Sequence, residues 1–210
     1  REPALVTSLN AKKAFNYILL ATLAFKLVLA SVLPMSGDEA YFIVWARHLD
    51  FGYYDHPPMV GWFLHLLLYL GSAEVILRLP AILTSTIIGY GIYRLLRPLD
   101  ENKAALVAIL FLLSPLNLLN VLVTTDTPLI LFVFLSVAAL YLALHKDKLA
   151  WYALAGVFFG MAFLSKYFAV LLGLAVVVVA SSWFGAARPV GEWLDTFLRT
   201  LIGASVVLVP

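Results

Sequence analysis

Four short constellations in this chain carry residue types that can do chemistry. The first is Ser36-Gly37-Asp38-Glu39-Ala40-Tyr41. Ser36 and Glu39 have the spacing of a capping box, with Ser36 as N-cap and Glu39 at the third helical position. Glu39 therefore has a structural role open to it beside a catalytic one. Asp38 has no such assignment, and the spacing puts it on the helix face shared with Tyr41 and Trp45. A carboxylate among aromatic rings can take a proton from an incoming hydroxyl or amine as a general base. The second is Tyr53-Tyr54-Asp55-His56-Pro57-Pro58. Pro57 biases His56 towards extended backbone, and Pro58 suits the first turn of a following helix. Asp55 or His56 then either caps that helix or, at its N-terminus, holds an anionic group or a metal. Two adjacent residues are too few to define a metal site, so no cofactor is assigned and a divalent cation is left open.

Thr124-Thr125-Asp126-Thr127-Pro128 is the third constellation. Pro128 at a first helical position makes Thr127 the expected N-cap and leaves Asp126 near the positive helix end, either to stabilise it or to act. The fourth is Leu164-Ser165-Lys166, in which Lys166 either snorkels or offers a point charge to a phosphate. Lys26 lies within an apolar run and is expected to pack against an acid or to snorkel.

The elements that must position these residues are membrane helices. Of 210 residues 63% are hydrophobic and 12% charged, and mean hydropathy is +0.99, whereas a soluble domain averages roughly 25% charged. A chain of this size cannot bury so much apolar surface within itself. The net charge of +2 is too small to point to nucleic acid, and the chain has no cysteine for disulfides or thiolate metal sites. Spans are predicted at Ala14 to Leu33, Val75 to Leu96, Ala104 to Val123 and Pro128 to Leu144. Leu149 to Phe184 is too long for one crossing and divides at Ser165-Lys166 into a fifth and a sixth. A seventh begins near Thr196. It is still apolar at Pro210, so the chain is expected to be part of a longer protein. Met59 to Leu70 is too short to cross. With Trp62, His65 and Tyr69 on one face it reads as an interfacial or re-entrant helix. The expected architecture is thus an all-α, polytopic membrane protein: one transmembrane domain over residues 1–210, six to seven spans, and interfacial helices in a first outer loop, 34–74.

Lys and Arg set the orientation. With the N-terminus inside, ten of the fourteen cations fall on the cytoplasmic side, as the positive-inside rule requires. Asp38, Glu39, Asp50, Asp55, His56, Asp126 and Lys166 then all lie on the outer face. Ionisable groups at a membrane border are costly unless paired or solvated, so such a gathering marks a candidate site, although loops also need polar residues.

The order Gly37-Asp38-Glu39-Ala40-Tyr41, Gly52-Tyr53-Tyr54-Asp55-His56-Pro57-Pro58, Arg78-Leu79-Pro80, Thr125-Asp126-Thr127-Pro128 and Leu164-Ser165-Lys166 resembles the membrane half of C-type glycosyltransferases. The nearest in kind are protein O-mannosyltransferases and lipid A aminoarabinose transferases, and the resemblance runs from about Ala14 to Trp183. It implies transfer of a sugar from a polyprenyl-phosphate carrier to a lipid or protein acceptor on the non-cytoplasmic face. Asp38, with Glu39 beside it, would be catalytic, with Asp126 as a second acid. Lys166, helped by His56 or Arg78, would meet the carrier phosphate, and Tyr41, Tyr54 and Asp55 would line the substrate. Asp55-His56 stands where aminoarabinose transferases have Glu-Lys, replacing one cation with a titratable imidazole and leaving the sugar open. The competing reading is a secondary transporter, but transporters hold their polar residues near the midplane on broken, internally repeated helices. Here no repeat is evident and the candidates lie at helix ends. A purely structural membrane protein would not need aligned acids on one side.

Overall fold

The structure is a computed structural model, and it describes residues 2–171, 173–174, 199–200 and 206–207. Every element among them is helical. In chain order these are α1 (Glu2–Val32), α2 (Gly37–Arg47), α3 (Met59–Leu68), α4 (Glu74–Leu77), α5 (Leu79–Leu96), α6 (Glu101–Leu113), α7 (Pro115–Leu119), α8 (Asp126–Lys146) and α9 (Leu149–Phe163). Among the described residues three helices are long and apolar enough to cross a membrane: Asn10–Val32 within α1, all of α5, and α8. The sixth and seventh expected spans lie largely outside the described residues.

The chain divides into two compact units, residues 1–48 with 61–127, and residues 49–60 with 128–210. In the first unit α1, α5 and α6 pack on one another. Phe15 of α1 stacks on Tyr93 of α5 with ring centroids 4.3 Å apart and planes 20° from parallel. Ala104, Ala105 and Ala108 present small side chains to the same core, which lets helix backbones approach closely where lipid offers no hydrophobic drive for association. In the second unit α8 and α9 are joined through Asp147, whose φ of 44° is left-handed, a conformation short polar residues tolerate. The Ser136 hydroxyl donates to the Ala155 carbonyl at 2.8 Å and ties the two helices.

Two expected spans change shape. The run from Val75 is split by a break at Arg78, so the long helix starts at Leu79. The expected third span, Ala104 to Val123, ends as a helix at Leu113. Pro115 has no N–H to donate to the Phe111 carbonyl four residues back. That oxygen is met instead by the Ser114 N–H at 3.2 Å, the Ser114 hydroxyl at 2.9 Å and the Asn117 amide at 3.3 Å. After the single turn of α7 the backbone runs without regular structure from Asn120 to Thr124, with a turn at Thr125, as far as α8. This strap leads directly to Asp126.

The closeness of α5 and α6 is testable at Gly89. A Cβ placed there would stand 2.6 Å from Leu112 Cδ2 and 2.9 Å from its Cγ, and Leu112 is itself buried. Gly89→Ala is expected to lower the thermal midpoint of the purified protein by the equivalent of about 1–3 kcal/mol. Adding Leu112→Ala should recover part of that loss.

Candidate functional site

The first unit is organised around an ion pair. Arg78 is 1% exposed and Glu39 5%. The guanidinium spends all five of its N–H donors. Nε donates to Glu39 Oε1 at 2.8 Å and Nη2 to Glu39 Oε2 at 2.8 Å. Nη1 donates to the carbonyls of Ala30 and Leu33, each at 2.7 Å, and Nη2 also to that of Pro34 at 2.9 Å. The sequence explains why those carbonyls need a donor. α1 ends at Val32, and Pro34 cannot supply the N–H that would have reached Ala30. Glu74 adds a second carboxylate 3.5 Å from Nη1.

Glu39 is equally committed. The Ser36 hydroxyl accepts from the Glu39 N–H at 3.2 Å, and the Ser36 N–H donates to Glu39 Oε2 at 3.0 Å, which completes the capping box. The Val123 N–H donates to Oε1 at 3.2 Å. Each carboxylate oxygen thus accepts twice. Burial alone would push the carboxyl up. The hydrogen bonds from Arg78, Ser36 and Val123 and the charge of Arg78 outweigh it and hold Glu39 below the usual carboxylate range. These contacts correct two expectations. Arg78 has no donor left for a phosphate, and Glu39 has no lone pair left to take a proton from a substrate. Both hold the frame.

What the frame holds is Asp38 and Asp126. Asp38, next to Glu39 on α2, is exposed, and its carboxylate makes no hydrogen bond or ion pair among the described residues. On the same helix Tyr41 lies edge-on to Trp45 with centroids 4.8 Å apart; Tyr41 is exposed and Trp45 buried. The Val123 bond to Glu39 fixes the strap three residues before Asp126, which is half-buried. The helix start there differs from expectation. α8 begins at Asp126, so Thr127 is inside the first turn. Its hydroxyl accepts from the Thr124 N–H at 3.3 Å and Pro128 takes a position whose N–H the helix does not use.

α3 is pinned to α2 by a residue whose role the sequence did not reveal. His65 Nδ1 lies 2.7 Å from the Ala46 carbonyl and Nε2 lies 3.2 Å from the Tyr69 hydroxyl. A neutral ring protonated at Nδ1 satisfies both contacts.

In the second unit one hydrogen bond joins the two expected phosphate-side motifs. The Met59 N–H, just past Pro57-Pro58, donates to the Leu164 carbonyl at 3.2 Å. That carbonyl belongs to the turn that ends α9 two residues before Lys166. The Tyr53 N–H donates to the His56 carbonyl at 3.0 Å, closing the loop of Tyr54 and Asp55. His56 Nε2 lies 3.9 Å from Asp55 Oδ2. Tyr54 and Asp55 are exposed, His56 and Lys166 half-buried. No group of three His, Cys, Asp or Glu among the described residues could hold a metal ion.

Glu39→Gln leaves the Arg78 charge buried with half its partner and is expected to cost about 3–5 kcal/mol, the range for breaking a buried pair. Arg78→Lys keeps the charge but offers three donors to five acceptors, so it should also destabilise. Thermal unfolding of the purified proteins measures both. Because folding depresses the Glu39 carboxyl, its contribution is present above the ordinary carboxylate range and should fade as pH falls through the folded value.

The family model for dolichyl-phosphate-mannose-protein mannosyltransferase matches residues 55–210. Lipid A galacturonosyltransferase RgtD from Rhizobium johnstonii is 29% identical over 189 residues, covering 81% of this chain and 36% of that protein. A 41-residue stretch, 20% of this chain, is 71% identical to 5% of DNA translocase FtsK from Mycobacterium tuberculosis, a match too short to carry an architecture. Among solved structures, the Saccharomyces cerevisiae protein O-mannosyltransferase Pmt1-Pmt2 complex bound to the sugar donor matches with a TM-score of 0.69. It does so at 16% identity over 94% of this chain and 32% of that one. The chain spans about a third of the length of RgtD and of the yeast chain.

Proposed function

The chain belongs to the dolichyl-phosphate-mannose-protein mannosyltransferase family, and on that premise we propose that it transfers a sugar from a polyprenyl-phosphate carrier to a lipid or protein acceptor. The observation that carries the proposal is the division within the acidic pair: Glu39 is spent on Arg78, while its neighbour Asp38 is exposed. Asp38 takes the proton of the acceptor hydroxyl or amine as that atom bonds to the anomeric carbon. The bond from that carbon to the phosphate oxygen breaks, and the polyprenyl phosphate leaves with the electron pair. Asp126, on the strap tied to Glu39, orients the acceptor. Lys166 and His56, on segments joined by the Met59–Leu164 bond, meet the phosphate, and Tyr41, Tyr54 and Asp55 line the sugar or acceptor. Arg78 is left out of this set because its donors are used.

A lipid-linked donor accords with the chain in two ways. It has no glycine-rich strand-to-helix turn to cradle a nucleotide pyrophosphate, and a lipid carrier keeps its phosphate at headgroup level, where a cation at a helix end can balance it. The site belongs on the outer face of a multi-pass protein, and the bacterial inner membrane is the setting that suits this reading.

Purified full-length protein given a synthetic polyprenyl-phosphate sugar or a nucleotide sugar should turn over the lipid-linked donor; turnover of the nucleotide sugar alone would end the proposal. Asp38→Asn and Asp126→Asn should fold and lose activity, Asp38→Asn by about 10²–10⁴-fold as for a lost general base. Lys166→Ala should raise KM for the donor far more than for the acceptor, with Lys166→Arg recovering part. For sidedness, single cysteines in this cysteine-free chain, labelled by an impermeant reagent in intact cells, should react at position 126 and not at 100. The opposite pattern would invert the topology.

A further inference from the structure

Lys26 lies in the membrane-crossing part of α1, is 1% exposed, and has no part in the chemistry above. Its ammonium donates to the Ser85 hydroxyl of α5 at 2.6 Å and approaches the Asn120 carbonyl at 3.4 Å. Ser85 in turn donates to the Ile82 carbonyl at 3.0 Å. Among the described residues Lys26 has no carboxylate partner, so a cation is kept in an apolar span against neutral oxygens alone. Such a placement is costly and is retained where it serves the working of the protein.

Asn120 is the C-cap of α7 and the first residue of the strap. From there the strap meets the rest of the first unit at three successive points. Lys26 reaches the Asn120 carbonyl, the Val121 side chain packs with Ala30 and Ile82, and the Val123 N–H reaches Glu39. Asp126 follows three residues later. At its two ends the strap has local bonds, from the Asn120 N–H to the Leu116 carbonyl at 3.2 Å and from the Thr127 N–H to the Thr124 carbonyl at 3.1 Å. Between them it has no helical hydrogen bonds, and the three anchors hold its path.

We propose that Lys26 is a positioning residue that fixes the origin of the strap and thereby aims Asp126 at the acceptor. This rests on the reading of Asp126 given above. It assigns Lys26 an effect on the rate of transfer and none on the binding of the donor phosphate.

The test is a mutant cycle on the full-length enzyme with a synthetic polyprenyl-phosphate sugar. Lys26→Met keeps the length of the side chain and removes a charge from an apolar span, so insertion should be undisturbed. Its kcat should fall, by up to about 10²-fold for a misplaced group, with KM for the donor little changed. Lys26→Arg should restore part of the rate. Combined with Asp126→Asn, Lys26→Met should add little further loss, because it acts through a carboxylate already removed. Ser85→Ala, which withdraws the shorter of the two contacts, should give a smaller loss with the same non-additivity, and it carries the cycle if Lys26→Met does not accumulate. Wild-type kcat in folded Lys26→Met would overturn the inference, as would losses that multiply in full with those of Asp126→Asn. Asp126→Asn with normal turnover would overturn the role given to Asp126 and this inference with it. A strong Asp126→Asn loss beside a silent Lys26→Met would sink the inference alone.

Discussion

The first unit depends on one buried contact, the pairing of Arg78 with Glu39. It joins the adjoining end of α1 and start of α2 to two pieces of chain far away in sequence, the break between α4 and α5 and the strap before α8. A buried pair of this kind does not by itself imply a large net gain in stability, because both charges have lost their water. Here every donor of the guanidinium and both oxygens of the carboxylate are served, the condition under which such a pair holds rather than strains a structure. The consequence for chemistry is a separation of roles between neighbours. Glu39 is inside and saturated, Asp38 is outside, and one helical residue turns the second away from the partners of the first.

A second regularity follows from proline in an apolar setting. Where hydrocarbon surrounds a helix, every carbonyl must find a donor in the protein. Pro34 and Pro115 each remove an N–H that a carbonyl four residues earlier would have used. The Ala30 carbonyl is met by Arg78, and the Phe111 carbonyl by Ser114 and Asn117. Asn120, at the end of the turn that Pro115 starts, is met by Lys26. The charged side chains buried in this unit, Lys26, Glu39 and Arg78, therefore reach the points where helices are interrupted, and the interruptions sit next to the acidic residues proposed to act.

Much of this was legible in the sequence, and the misses have physical causes. The capping box of Ser36 and Glu39 was readable because it is local. The first and fourth spans were readable because their apolar runs are long and end in strong signals, Pro34 and His145-Lys146. The third span was misread because hydropathy is blind to hydrogen bonding. Ala104 to Val123 is apolar but for Ser114, Asn117 and Asn120, and within it Ser114-Pro115 marks the break. A cation near a helix start suits an anion, so the sequence offers Arg78 to a phosphate; its partner in the structure, Glu39, is 39 residues away, a distance periodicity cannot bridge. One signal was present: Arg78 stands between Leu77 and Leu79 in an apolar stretch, where an unpaired charge would not be tolerated. Lys26, expected to pack against an acid or to snorkel, instead meets Ser85 and the Asn120 carbonyl, partners on α5 and α7 that exist only once the helices pack.

The central claim is that Glu39 and Arg78 act as one structural unit and not as separate members of a reactive site. The most direct measurement is a double-mutant cycle on thermal stability in the full-length protein, using Glu39→Gln, Arg78→Met and the two together. Each single change strands a buried partner, whereas the double change removes both charges at once. The account requires the double variant to lose clearly less than the sum of the singles, by about 1 kcal/mol or more, as contacting residues do. Losses that simply add would contradict it.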